Sequence, residues 1–332
     1  MRRNSPERGQ SEHDQSAPDL IAVTLNTAID RVVHLPAFRQ GEVLEAESSR
    51  KIPAGKGVNL ARAVAAIGRN VRSLGFVGEE SAGLFGRIEN EFIRCQFTYV
   101  KGKVRENLSL FDRESGMTTH IKTPGFSVTR RELESFLSGF RQRITPGCVV
   151  VLSGSVPPGL PPDIYADLST MCRDSDARVM LDTNGEPLLS GLSAGPDLIA
   201  PNFAELTEIT GGEVPADPEA VLELLRSSEW GEVTFIAVTL GEKGAVVFHP
   251  ATDTGWYADV PPIDQIRIRN ATGCGDAFLA GLAVTFLERQ DPVAALQLGV
   301  ACGTANLFTN APGKLDGELV SRLKSEVEVR TL

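Results

Sequence analysis

Short apolar runs rich in β-branched residues alternate along the chain with longer segments of helical spacing. The runs lie at 20–25, 149–152, 179–181 and 233–238. They do not alternate apolar with polar residues, which is typical of strands buried on both faces of a parallel sheet. The pattern predicts one doubly wound α/β domain, with a mostly parallel sheet flanked by helices. The predicted helices lie near 57–67, 81–93, 129–143, 161–173, 202–210, 217–228, 274–287, 291–309 and 317–328.

Two stretches, 31–52 and about 96–123, depart from this alternation because they contain short, partly polar strands without long helices between them. We interpret them as a small β-strand lid over a substrate site. Exposed strand edges often pair with a second subunit, so a homodimer through the lid is possible. Residues 1–19 have mixed charge and no apolar core, and they predict a disordered tail before a domain spanning 20–330.

The composition is acidic: 33 Lys and Arg against 43 Asp and Glu give a net charge of −10. This balance argues against nucleic-acid and anionic-membrane binding, and it requires local positive potential wherever phosphate is handled. No apolar run approaches the roughly 20 residues of a membrane helix. The five cysteines lack Cys-x-x-Cys spacing. They predict reduced thiols in a cytoplasmic chain without a zinc ribbon.

Several common functional motifs are absent, incomplete or outside their required structural context. There is no P-loop, and the start of a dinucleotide fingerprint at 273–275 ends on Phe278 instead of glycine. Residues 191–195 fit the Gly-x-Ser-x-Gly nucleophile elbow of hydrolases, but that elbow requires a strand before it and a helix after it. Pro187 and Pro196 flank the segment, so we interpret it as a glycine-rich surface turn.

The segment 270–276, Asn-Ala-Thr-Gly-Cys-Gly-Asp, opens the predicted apolar helix at 274. Small residues at a helix N-terminus let backbone amides approach an anion, so Gly273, Cys274 and Gly275 predict a phosphate hole. Asp276 lies in the first turn, where it could accept the proton of a hydroxyl that receives the phosphate. The alternative is a glycine-rich turn with a helix-capping aspartate.

Cys274 allows two interpretations. A thiol at a helix N-terminus has its thiolate favoured, although Asp276 opposes this effect. A modestly lowered pKa and fast alkylation, slowed by MgATP, would follow. The other interpretation is a small apolar filler.

The segment 54–59, Ala-Gly-Lys-Gly-Val-Asn, opens a second apolar helix. Gly55 and Gly57 would let the backbone approach a ligand, and Lys56 and Asn59 offer donors to hydroxyls or phosphate. Because Asn59 lies in an otherwise apolar helix, it needs a partner, either a ligand or the lid.

Together these segments resemble the two signatures of the PfkB (ribokinase-like) sugar kinases, over about residues 20–330. Residues 54–61 with Gly68 and Gly78 match the first signature, and 270–283 resemble the second except at Ala271 and Cys274. The resemblance implies a ribokinase-like fold and transfer of phosphate from ATP, with Mg²⁺, to a sugar hydroxyl. It implies that Asp276 is the base and that the amides of 273–275 hold the γ-phosphate.

Other segments resemble the 1-phosphofructokinases and tagatose-6-phosphate kinases within this family. The resemblance of 24–30 implies that Asp30 binds sugar hydroxyls, and that of 152–159 implies a sugar contact at Ser153 and Gly154. Residues 104–107 resemble the lid element Thr-Arg-x-Asn, which implies that Arg105 grips a sugar phosphate through its planar fork. A solvated lid residue is the alternative for Arg105.

Two further segments resemble the nucleotide-binding elements of the family. Asn202-x-x-Glu205 resembles the family element for magnesium and nucleotide phosphates, which implies that Glu205 contacts the metal. Thr239, Gly241 and Gly244 resemble the nucleotide-binding end of a strand.

These features indicate a kinase that converts a ketohexose phosphate, such as fructose 1-phosphate, to fructose 1,6-bisphosphate. Leu44-Glu45 stands where this group has Asn-Arg, whose arginine lies near the sugar phosphate. The missing positive charge could come instead from Arg50, Lys51, Lys56 or Lys103. The alternatives are a kinase for tagatose 6-phosphate, fructose 6-phosphate, an unphosphorylated sugar or a nucleoside. A non-catalytic sugar or nucleotide sensor on the same fold is a further alternative, which Asp276 disfavours because a sensor needs no base.

Overall fold

A large, mostly parallel sheet forms the centre of the molecule. The computed structural model describes residues 20–212, 214–263, 268–269 and 271–332, so the predicted tail and Asn270 lie outside the described residues. The strands are β1 (Leu20–Thr24), β2 (Ala28–Leu35), β3 (Ser48–Ala54), β4 (Val71–Gly78), β5 (Ile93–Val100), β6 (Arg105–Asp112), β7 (Thr118–Lys122), β8 (Val149–Ser153), β9 (Arg178–Asp182), β10 (Leu198–Ile199), β11 (Phe235–Thr239), β12 (Ala245–His249), β13 (Thr254–Ala258) and β14 (Val329–Thr331).

Helices cover this sheet. They are α1 (Lys56–Ala66), α2 (Ala82–Phe85), α3 (Arg130–Arg141), α4 (Ile164–Arg173), α5 (Gly185–Leu192), α6 (Phe203–Thr210), α7 (Pro218–Arg226), α8 (Cys274–Glu288), α9 (Pro292–Asn306) and α10 (Gly317–Glu326). Within the described residues the large sheet has ten strands in the order β14-β13-β12-β11-β10-β9-β8-β1-β4-β5. Strands β5 to β11 along this order are parallel, and β12 to β14 continue antiparallel. The predicted doubly wound α/β fold is confirmed.

The predicted lid is a separate four-stranded sheet in the order β3-β2-β6-β7. Its predicted bounds were partly wrong. The second segment was placed from about 96, but Ile93–Val100 is β5, which pairs with β4 at the edge of the large sheet. Only Ile93 and Val100 of this edge strand are buried, and the half-buried and exposed residues between them explain the pattern that suggested a lid. The small sheet begins at Ala28 and its strand β3 continues to Ala54, directly before α1.

Two helix predictions also need correction. The segment 81–93 contains only one turn of α-helix flanked by 3₁₀ turns, because Gly83 and Gly86 weaken a helix there. Helix α5 was not predicted, since Pro187 suggested a loop, but proline is tolerated in the first turn of a helix. The Gly-x-Ser-x-Gly segment is the end of α5, with Ser193 as its C-cap, and not a strand–turn–helix elbow.

The apolar helices α8 and α9 pack closely beside the sheet. A Cβ atom at Gly281 would lie 2.6 Å from the Gly299 nitrogen, so the two backbones touch at these glycines. Helix α8 also packs on α1. This contact brings the N-terminal turns of α1 and α8, and therefore the two predicted signature segments, to the same place.

None of the five cysteines is in a disulfide, as the sequence predicted. In the described part of the chain, every helix is too short or too polar to cross a bilayer.

Candidate active site

Polar residues end three neighbouring parallel strands at the same edge of the large sheet. Thr24 ends β1, Ser153 ends β8 and Asp182 ends β9, and the three are aligned in register. The N-terminus of α1 lies against this edge, because a Cβ atom at Gly57 would be 2.5 Å from Thr24 Oγ1 and 3.1 Å from Ser153 Oγ. The carboxyl edge of parallel strands is the usual place for a ligand in α/β folds.

Asp276 is buried at this edge, with 8% of its surface exposed. Its Oδ2 accepts a hydrogen bond of 2.8 Å from Asn59 Nδ2. Asn59 therefore has a partner within the protein, supplied by the α1–α8 contact, and its contact with a ligand stays a prediction. Burial and the nearby Asp182 raise the pKa of Asp276 to about 7, although the Asn59 hydrogen bond and Lys56 favour the carboxylate.

Lys56 forms an ion pair with Asp182, with Nζ and Oδ1 2.7 Å apart. Burial disfavours the ammonium group, but Asp182 and the more distant Asp276 and Glu205 raise the pKa of Lys56 above its usual value. Asp182 was missed by the sequence analysis. The signal was present, because Asp182 and the polar residues after it directly follow the buried strand β9.

The glycines of the first signature face the protein and not an open site. A Cβ atom at Gly55 would lie 2.7 Å from Thr24 Cγ2, and one at Gly57 would lie 2.9 Å from the Val23 carbonyl oxygen. These glycines therefore allow α1 to approach strand β1 closely, and the approach of their backbone to a ligand stays a prediction. Gly55 also has a φ of 125°, which side-chain-bearing residues rarely adopt.

At the N-terminus of α8, the two glycines differ. Gly273 is the N-cap with a φ of 86°, and a Cβ atom there would meet Pro312 at 2.6 Å. A Cβ atom at Gly275 would meet nothing within 4 Å, so this side of the turn is open. The Cys274 amide donates to the Ala271 carbonyl at 3.3 Å, so it already has a hydrogen-bond partner within the turn.

The expected lowering of the Cys274 pKa was wrong. Burial raises the pKa of this thiol, and Asp276 adds to the effect. Asn306 Nδ2 donates to Sγ at 3.5 Å, which opposes the shift without reversing it. Cys274 fits the interpretation of a small packing residue.

The lid brings Asp30, Arg105 and Asn107 together. Asn107 Nδ2 donates to Asp30 Oδ1 at 2.8 Å, and Arg105 Nη2 donates to the Asn26 carbonyl at 3.1 Å. Burial raises the pKa of Asp30 and lowers that of Arg105, so Arg105 is not a fully solvated residue. Arg105 Nε and Asn107 Oδ1 are buried without a hydrogen-bond partner in the described structure. Such unpaired atoms are costly, and a bound ligand would satisfy them.

Ser153 and Gly154 lie beneath the site. The Ser153 hydroxyl is fully buried and donates to the Val23 carbonyl at 3.3 Å, so it does not face open space. Gly154 has a φ of 92°, and its amide donates to the Asp182 carbonyl at 2.9 Å. These contacts hold the edge of the sheet together.

Asn202 and Glu205 form a capping box at the start of α6. Asn202 Oδ1 accepts from the Glu205 amide, and Glu205 Oε2 accepts from the Asn202 amide, both at 2.9 Å. Asn202 also bridges to Thr239 at the end of β11, so these predicted nucleotide residues do lie together. No cluster of three or more metal-ligating side chains occurs among the residues that the structure describes.

The chain matches the pfkB family of carbohydrate kinases over residues 20–313. The chain belongs to the PfkB family of carbohydrate kinases. It is 32% identical over 318 residues to the 1-phosphofructokinase of Bacillus subtilis, covering 94% of this chain and 100% of that one. It is 34% identical over 273 residues to the 1-phosphofructokinase of Xanthomonas campestris, covering 81% and 84% of the two chains.

The same fold occurs in a solved structure of phosphofructokinase-2 from Escherichia coli in complex with fructose-6-phosphate. Its TM-score is 0.80 at 22% identity, over 93% of this PfkB kinase and 98% of that chain. Members of the PfkB family are phosphotransferases that use ATP.

In this PfkB kinase, most of the cations that were expected to compensate for Glu45 form ion pairs with carboxylates. Lys51 pairs with Glu106 at 2.6 Å and Lys103 with Glu80 at 3.7 Å, in addition to the Lys56–Asp182 pair. Arg50 has no ion-pair partner within the described residues.

Gly241 and Gly244, which follow strand β11, differ in how much space their backbone leaves for a side chain. Gly244 has a φ of 88°, and a Cβ atom there would lie 1.9 Å from the Ala258 carbonyl oxygen. Gly241 has a φ of 65° with open space around it. We expect Gly244→Ala to lower the free energy of unfolding by about 3 kcal/mol or more, through strain and overlap. Gly241→Ala, the matched control, should cost only about 1 kcal/mol. Urea unfolding of both variants checks this, and equal losses would contradict it.

Proposed function

We propose that this PfkB kinase transfers the γ-phosphate of ATP to fructose 1-phosphate and so forms fructose 1,6-bisphosphate. The observation that carries the proposal is the buried Asp276 carboxylate at the N-terminus of α8. This carboxylate accepts a hydrogen bond from Asn59 of α1. The relatives from Bacillus subtilis and Xanthomonas campestris are named 1-phosphofructokinases, which supports this choice of substrate.

Asp276 acts as the general base in this proposal. Its carboxylate accepts the proton of the sugar hydroxyl while that oxygen attacks the γ-phosphorus, and the bond from this phosphorus to the bridging oxygen breaks to release ADP. The helix N-terminus stabilises the negative charge of the transferred group, with the Gly275 and Asp276 amides as donors because that of Cys274 is already bonded. Asn59 positions the base, and Lys56, paired with Asp182, adds a positive charge beside it.

The lid supplies the sugar site. Asp30 accepts hydrogen bonds from sugar hydroxyls, and the unpaired Asn107 Oδ1 lies beside it. Arg105 Nε, buried and unpaired, contacts the phosphate that the sugar already carries. The backbone at Gly55, Gly57 and Gly154, with Ser153 beneath it, forms the floor of this site and does not supply side-chain contacts.

ATP binds along the edge formed by Asn202, Thr239, Gly241 and Gly244. Mg²⁺ usually retains waters and takes only one or two protein carboxylates together with substrate phosphates. Glu205 fits this requirement, because one of its oxygens caps α6 and the other is left for the ion. When bound, Mg²⁺ neutralises charge on the nucleotide phosphates.

We also propose that two copies associate through the lid. Strand β7 is an exposed edge along its whole length, and it carries Ile121, which is 45% exposed. Exposed edge strands often pair with another chain or are covered. Analytical ultracentrifugation tests this proposal, and a monomer at micromolar concentration would contradict it.

The test of function is ADP release with MgATP across a panel of fructose 1-phosphate, fructose 6-phosphate, tagatose 6-phosphate, fructose and ribose. We expect the highest kcat/KM with fructose 1-phosphate. A higher value with an unphosphorylated sugar would overturn the substrate assignment while leaving the kinase chemistry in place.

The raised pKa of Asp276 predicts a pH dependence. The base works only as a carboxylate, and burial raises its pKa to about 7. We therefore expect kcat to rise up to tenfold per pH unit below about 7 and to level above it, since one proton must be lost. Stopped-time assays from pH 5.5 to 8.5 at saturating substrates check this. A flat profile would contradict the assignment of Asp276 as base.

A further inference from the structure

A cleft of about 560 Å³ lies between the edge strand β3, helices α1 and α2 and residues 313–315. This volume suits a small metabolite. Its cationic residues are Arg50, Lys51, Arg62, Arg87 and Lys314, and its only acidic lining residue is Glu91. Two of these cationic residues, Arg50 and Lys51, were candidates to compensate for Glu45, but the residues placed in the sugar and nucleotide sites under the proposed function do not line the cleft. In a chain with a net charge of −10, it is a local concentration of positive potential.

Most of this positive charge is not neutralised by the protein. Lys51 pairs with Glu106 at 2.6 Å. Arg50, Arg87 and Lys314 have no carboxylate partner in the part of the chain that the structure describes, and all three are exposed. Like charges that share a cleft disfavour one another, so an anion between them would relieve this repulsion.

Arg62 forms the buried end of the cleft, with 9% of its surface exposed. Its Nη2 donates to the Pro53 carbonyl at 2.6 Å, and its Nη1 donates to Asn59 Oδ1 at 3.3 Å. Burial lowers the pKa of Arg62 to about 10, although Asp30 opposes the shift. The guanidinium charge is therefore incompletely compensated where it lies.

The same arginine connects the cleft with the base. Asn59 accepts from Arg62 through Oδ1 and donates to Asp276 through Nδ2 at 2.8 Å. The contact with Arg62 fixes which end of the Asn59 amide faces Asp276, since the guanidinium can only donate. A change in the position of Arg62 would reach Asp276 through one intervening side chain.

We propose that this cleft is a second binding site, for a small anion that carries a phosphate group, and that its occupancy inhibits the kinase. The anion draws the Arg62 guanidinium toward itself, since a charge-assisted bond to phosphate is stronger than the one to a neutral amide. Asn59 then loses the hydrogen bond from Arg62, and its amide is less firmly oriented toward Asp276. The effect on turnover persists at saturating sugar, because it acts through the base.

Calorimetry with 2-phosphoglycolate as the probe tests binding to the full chain, with saturating MgADP to fill the nucleotide site. Glycolate, which lacks the phosphate, is the control ligand. The test variant is Arg87→Glu with Lys314→Glu, and the matched control is Arg131→Glu with Arg141→Glu. Both pairs are exposed on the protein, both change the net charge equally, and the control pair lies outside the cleft.

We expect wild type and the control pair to bind one 2-phosphoglycolate, and the test pair to lose at least about tenfold in affinity. If the test pair unfolds at lower temperature than wild type, Arg87→Gln with Lys314→Gln replaces it. No saturable binding to wild type, or an equal loss in both pairs, would overturn the site.

Kinetics test the connection to Asp276. We expect 2-phosphoglycolate to lower kcat at saturating sugar and MgATP in wild type and in the control pair, and to have no such effect in the test pair. Inhibition that saturating sugar removes would assign the probe to the sugar site and overturn the proposal. Binding in the cleft without any change in kcat would overturn the link through Arg62 and Asn59.

Discussion

Replacing Asp276 with asparagine should lower kcat by about 10²- to 10⁴-fold, the usual loss when a general base is removed. The amide cannot take the hydroxyl proton at neutral pH. Its oxygen can still accept the hydrogen bond from Asn59 Nδ2, so the geometry at the start of α8 should persist. The affinity for ATP, measured by calorimetry, should remain nearly unchanged.

Asp167→Asn is a matched control, because Asp167 also lies in the first turn of a helix but is exposed on α4. It should retain wild-type kcat. If Asp276→Asn keeps more than half of the wild-type kcat, then Asp276 is not the base, and its burial must have a structural reason.

Replacing Arg105 with alanine should raise the KM for fructose 1-phosphate by roughly 10- to 150-fold, with little change in the KM for ATP. A desolvated charge-assisted contact is worth about 1.5–3 kcal/mol, which corresponds to this range. Arg105 is half-buried beside Asp30, and its Nε lacks a partner in the described structure, so it meets the condition of desolvation. Steady-state kinetics with each substrate varied in turn measures the effect.

Arg113→Ala is the control, because Arg113 directly follows strand β6, the strand that begins with Arg105. Arg113 pairs with Glu47 at 3.0 Å on the surface, with 70% of its side chain exposed, and should leave both KM values unchanged. Equal increases for sugar and ATP with Arg105→Ala would mean that the residue supports the lid as a whole. No increase for either would favour an unphosphorylated sugar as the acceptor.

The fold and the centre of the site were predictable because their signals are local. Buried parallel strands show as continuous apolar runs, and the turns at 54–59 and 270–276 each open an apolar helix. Edge strand β5 was misassigned because only its two end residues are buried, which gives it the partly polar pattern of a lid strand.

The partners within the site were less predictable, because they depend on packing between distant segments. Asn59 and Asp276 are 217 positions apart, and Lys56 and Asp182 are 126 apart. The sequence shows that each of these residues is polar in an apolar setting, but only the packing of α1 against α8 and against the sheet edge shows which of them meet. The same holds for Gly55 and Gly57, whose close contact is with Thr24.

The burial of Asp276 has opposite effects on stability and on turnover as the pH rises. Its pKa is about 7 in the folded state, against 3.8 for an ordinary aspartate such as that of the unfolded chain. Between these values the folded state retains a proton that the unfolded chain releases. The contribution of Asp276 to the free energy of unfolding therefore falls as pH rises from about 4 to about 7, and stays low above that. The kinase is most active where this residue stabilises it least. Asp276→Asn should accordingly melt at a higher temperature than wild type at pH 8, and the difference should disappear near pH 4.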